Sequence, residues 1–158
     1  MSSQRARANH SLYLARIQIA AWQSQLAEQQ IPSRTLAQAF LPAIANHLRT
    51  AYGSFLLALS GFNDNEVEIP RGTAELPTIA EGKMLPPEVT EFSMLEQEGW
   101  LQELLAATDF GVVNQRSSTP VPGALAVAPA AVSPDQALAW CDALESLFDR
   151  MGDSLDEY

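Results

Sequence analysis

His10 and His47 are the only histidines, Cys141 the only cysteine and Lys83 the only lysine in a chain of 158 residues. Those four are where metal, nucleophile or Schiff-base chemistry would have to start. A di-iron centre in a helical bundle takes its ligands from Glu-x-x-His pairs on facing helices. Three residues before the histidines stand Arg7 and Ile44, so that pattern is missing. A nucleophilic thiol needs a positive setting that lowers its pKa. Cys141 instead stands beside Trp140 and Asp142 and four residues before Glu145, which favours a small hydrophobe packed in a core. Lys83 lies between Gly82 and Met84 in a loop-like stretch, not in a pocket that would desolvate it. The chain has no G-x-S-x-G, no G-x-x-x-x-G-K-[ST] and no G-x-G-x-x-G.

Carboxylates are the remaining candidates. Glu88 and Glu91 form one row, and Asp142, Glu145 and Asp149 another, at spacings of three and four that share a helix face. Acid-base work would need one of them buried with a raised pKa. Nothing in the spacing shows burial, and a solvated helix face is the expected use. No catalytic, cofactor or metal residue is therefore assigned, and no cofactor is expected.

The elements that would position these groups are helical. Leu12, Ala15, Ile19, Trp22 and Leu26 recur at alternating three- and four-residue steps, which predicts a helix over residues 4–29. Tyr13, Ile17 and Ala20 are expected to widen its apolar stripe. A short break at Ile31, Pro32 and Ser33 precedes a second helix over 33–60, with Ser33 as N-cap and Gly61 as stop. Its stripe is Leu36, Phe40, Ile44, Leu48, Tyr52, Phe55 and Leu59. Pro42 leaves two options, a kink or a split into two helices. A third helix is expected over 87–109 with Gly99 inside it, and a fourth over 134–151 behind a Ser133-Pro134-Asp135-Gln136 capping box. Long connections fill 62–86 and 114–133, the latter uncharged from 119 to 134, and an acidic tail occupies 153–158. The expected fold is a single all-α domain, bundle-like with four helices, whose first two form an antiparallel hairpin.

Charge divides along this plan. The formal net charge is −10, yet residues 1–50 hold Arg5, Arg7, Arg16, Arg34 and Arg49 against one acid, Glu28. Eighteen of the nineteen acids lie beyond residue 50. The basic hairpin is expected to pair with the acidic remainder or with an acidic partner. A sequence pI near 4.5 argues against direct binding of nucleic acid, which needs clustered Lys and Arg. The apolar run of the first helix is broken by Arg16, Gln18 and Gln23, unlike a signal peptide. The run 55–62 is too short for a membrane span. A soluble, cytoplasmic protein with no membrane contact is expected.

The patterns NHSLYLARIQIAAWQ (9–23), HLRTAYGSFLLALSGF (47–62) and PPEVTEFSMLEQEGWLQELLAA (86–107) resemble a small family of helical bacterial proteins known only as a domain of unknown function. The resemblance spans residues 9–107 and implies an all-helical fold. It brings no activity or site residue.

The functional expectation is a non-enzymatic helical module that binds another protein, with a homodimer also in view. The residues proposed for the partner surface are Trp100, Arg5, Arg7, Arg16, Glu88 and Glu91. Trp22 and Trp140 are expected in the core. The alternatives are a ligand-binding or enzymatic bundle with a pocket near Trp100, and an acidic decoy of a nucleic-acid-binding protein.

Overall fold

A computed structural model describes residues 3–62, 67–76, 86–114 and 132–156, with side chains left out for 108–114 and 154–156. Lys83, most of the 114–133 connection and the last two tail residues lie outside the described set. Among the described residues five α-helices follow in order: α1 Ser3–Glu28, α2 Ser33–Leu59, α3 Pro87–Gln97, α4 Trp100–Asn114 and α5 Pro134–Asp156. A single 3-10 turn, Thr73–Glu75, stands between α2 and α3, and no strand occurs among the described residues. The fold is all-α and bundle-like, with α1 and α2 packed as a hairpin.

α2 is the central element. Its residues 51–59 are all buried, and α1, α3, α4 and α5 all pack against it. Burial on every side suits the run AYGSFLLAL, which contains no charged residue. The helix passes through Pro42 as one element. It opens after Pro32 with no side-chain cap, so Ser33 is the first helical residue and not the expected N-cap. It ends in a Schellman arrangement: Gly61 takes φ +81°, its N–H bonds the Ala58 carbonyl and the Phe62 N–H bonds Leu57.

The expected third helix, 87–109, is two helices. Glu98 is extended and Gly99 takes φ +121°, a value that favours glycine, so the chain turns between α3 and α4. Each piece then packs its own short stripe inward: Val89 and Phe92 from α3, Leu101 and Leu104 from α4. α5 begins on the expected box, with the Gln136 N–H donating to Ser133 Oγ at 3.2 Å. It runs on to Asp156, taking up part of what the sequence marks as an acidic tail.

Aromatic rings from four helices tie the core. Phe55 stacks on Phe148 with centroids 4.0 Å apart, and Tyr52 and Phe55 both meet Phe92 edge-on. Trp22 stacks on Phe40 across the hairpin. Trp22 and Trp140 are buried, as their place on the stripes predicts, while Trp100 is half-buried against the core.

Candidate interaction surface

α1 carries two apolar seams, and only one is covered. Ala8, Leu12, Ala15, Ile19 and Trp22 are buried, with Leu26 partly buried behind them. Tyr13, Ile17 and Ala20 do not widen this stripe. Tyr13 is 61% exposed, Ile17 is 49% exposed, and Ala20 is exposed as well. These belong to a second seam of four- and three-residue steps, Ala6, His10, Tyr13, Ile17, Ala20, Ser24 and Ala27, every member exposed. At 100° per residue the two seams stand about 150° apart on the helix. The outer one therefore cannot reach the core that the inner one fills.

The outer face is also nearly without charge. Of the twelve fully exposed residues of α1, Glu28 alone carries a formal charge. Two of its arginines, Arg5 and Arg16, reach across to α5. Arg16 donates to Asp142 at 2.9 Å and to Glu145, binding α1 to α5. Arg5 lies over Gly152 and points at its carbonyl, 3.5 Å away. Arg150 on α5 reaches Glu91 on α3 at 2.6 Å. Arg16 thus pairs the basic hairpin with acids of α5, while Arg150 and Glu91 join α5 to α3.

This places the six residues expected at a partner surface. Arg5, Arg16 and Glu91 are engaged inside the chain, and Trp100 leans on the core. Arg7 and Glu88 are half-buried on different helices, α1 and α3. They do not form one patch. A linear list of apolar positions does not separate two faces, so the sequence pattern merges Tyr13 and Ile17 with the core stripe. Their signal is the intact second seam, which leaves out Leu12 and Ile19 entirely.

Two open hollows accompany these surfaces among the described residues. One, about 370 Å³, lies between α1 and α5 and is lined by Asn9, Leu12, Tyr13, Arg16, Glu145 and Asp149. The other, about 400 Å³, is lined by Glu68, Ile69, Pro70 and Glu75. It belongs to segment 67–76, which is fastened to the core. Ile69 and Pro70 lie so close over Gly53 that a Cβ there would collide with them. The Glu96 carboxylate accepts from the Thr73 N–H and hydroxyl, both at 2.8 Å, and from the Tyr52 phenol. Burial, then the Glu96 carboxylate, pushes the Tyr52 phenol far above its usual pKa. Tyr52 is wholly buried, and the cluster fastens segment 67–76 to α2 and α3.

The candidate nucleophile is sealed too. Cys141 is fully buried, with its thiol 3.8 Å from the Leu12 carbonyl. Burial pushes its pKa up to about 11, with Arg16 pulling the other way. Among the described residues, no three His, Cys, Asp or Glu side chains stand close enough to hold a metal ion, and no helix is long and apolar enough to cross a membrane. No family model, curated protein or solved structure matches the chain.

Proposed function

We propose that the chain is a non-enzymatic helical module that binds protein through the outer face of α1. One observation carries this: an exposed seam about 32 Å long, at 1.5 Å per residue, that is apolar at its centre and uncharged along its length. Single exposed apolar residues are ordinary on a protein surface. Tyr13 and Ile17 are different because they are adjacent on one face that continues through His10 to Ala6 on one side and through Ala20 and Ser24 to Ala27 on the other. Such a face suits a helix laid along it, with Ala6, Ala20 and Ala27 permitting close approach and Tyr13 supplying a rigid amphipathic anchor.

The test is a photo-reactive side chain placed at position 17 of the full chain, with position 146 on the outer face of α5 as control. Adducts that map to one defined polypeptide from position 17, absent at 146 and lost when Tyr13→Asp is added, support the reading. Equal labelling from both positions, or none from 17, contradicts it.

A further inference from the structure

Resting on that reading, we infer that the occupant of the outer α1 face is a second copy of α1, lying antiparallel across a two-fold axis near Ile17. A two-fold contact must be self-complementary, because the same patch serves both copies. The outer seam meets that requirement in size and order. Reversed about Ile17, Ala6 faces Ala27 of the second copy, His10 faces Ser24, the large Tyr13 faces the small Ala20, and Ile17 meets its own counterpart. Each bulky side chain opposes a small one except at the axis, where two isoleucines close the centre. A parallel pairing would set Tyr13 against Tyr13 and leave the alanines facing one another across a gap.

Charge agrees with the same orientation. The one formal charge on the outer face, Glu28, stands at the last residue of α1, and Arg7 stands near the first turn. Antiparallel packing brings Glu28 of each copy towards the Arg7 end of the other.

The size of the strip sets the strength. A contact about 32 Å long and one helix, about 10 Å, wide covers on the order of 300 Å² per copy, well below the roughly 800 Å² per partner of a standard stable interface. The association is therefore weak and transient.

Sedimentation velocity of the purified full chain, from about 10 μM to about 1 mM, reads this directly. The wild type shifts from monomer to dimer across that range. Ile17→Glu puts two carboxylates at the axis and weakens the dimer by at least about 100-fold, tenfold for each copy. Glu98→Gln, on the turn between α3 and α4, leaves the dissociation constant unchanged within about twofold. The orientation is read by oxidising a mixture of Ala6→Cys and Ala27→Cys chains, with Cys141 remaining buried. Mixed 6–27 disulfides dominate in the antiparallel pair, whereas 6–6 and 27–27 disulfides would overturn it. A wild type that stays monomeric at the highest concentration also overturns the inference. So does a photo-adduct from position 17 to the same chain's residues 115–131. If position 17 meanwhile captures a different polypeptide, the broader reading survives and only the second copy falls.

Discussion

The outer faces of α1 and α5 lie side by side and have opposite characters. Of the eight residues of α5 described as fully exposed, six are charged: Asp135, Asp142, Glu145, Asp149, Arg150 and Asp153. On α1 the corresponding figure is one of twelve. α5 is a one-sided helix. Ala137, Trp140, Cys141, Leu144, Phe148 and Met151 fill the core, and everything opposite is solvated. α1 is two-sided, with one seam buried against α2 and α5 and the other exposed, its Tyr13 bordering Glu145 and Asp149 of α5 across the hollow between the two helices. Stability of the monomer explains all of α5. It explains only half of α1, and the unexplained half is where a functional contact has physical grounds.

The sharpest way to break this contrast is to truncate one isoleucine from each seam of α1. Ile19→Ala leaves a cavity beneath α2 and is expected to cost about 2–4 kcal/mol. Ile17→Ala at low protein concentration is expected to change stability by about 0.5 kcal/mol or less. Urea titration of both variants gives the two values. Similar losses would mean that the outer seam is also part of the monomer core.

A smaller effect concerns the fastening outside both faces. Glu96→Ala leaves the buried Tyr52 phenol and the Thr73 donors without their acceptor, at a cost of about 1–3 kcal/mol. Cleavage after Arg71 by trypsin is expected to speed up, and dimerisation through α1 to be unaffected.

Weaker still is Arg16→Met, which removes the tie between α1 and α5. Arg16, Asp142 and Glu145 retain 33%, 60% and 51% side-chain exposure, so the loss is expected to stay below about 1 kcal/mol and to shrink with added salt. The smallest effect is on the alkaline side. The raised pKa means that the folded state favours the neutral Cys141 thiol over an exposed one with its ordinary value of 9.0. That contribution is complete below pH 9 and is lost as the pH rises towards 11. Cys141→Ala is expected to flatten the decline across that window in pH-dependent urea titrations. At pH 8 the native thiol is expected to resist Ellman's reagent until the chain unfolds.

How far the sequence reveals this depends on which physical signal each element carries. The seams of Leu12 to Leu26 and Ala137 to Met151 predict buried helix faces, and those faces are buried, because a 3.6-residue period is written directly in apolar spacing. Ser133, Gly61 and the short break near Pro32 mark boundaries through cap chemistry that depends on a few adjacent residues. Gly99 shows the limit. Glycine inside a helical pattern is tolerated at modest cost, and only the positive φ forced by packing α3 and α4 separately turns it into a break. The candidate surface was less legible for a related reason. Tyr13 and Ile17 are as apolar as Leu12 and Ile19, and their exposure depends on where α2 and α5 sit, which is a long-range property. The intramolecular partners of Arg16 are not legible from local spacing, because Asp142 and Glu145 lie more than 120 residues away in the chain.

The most direct measurement of the central claim is a dilution series of amide spectra on isotope-labelled full-length chain, from about 1 mM to about 20 μM. The account predicts that shifts and line broadening concentrate at Tyr13, Ile17, Ala20 and Ser24 and vanish in Ile17→Glu, while Asp142, Glu145 and Asp149 stay still. Concentration-dependent shifts centred on the α5 acids, or unchanged by Ile17→Glu, would contradict it.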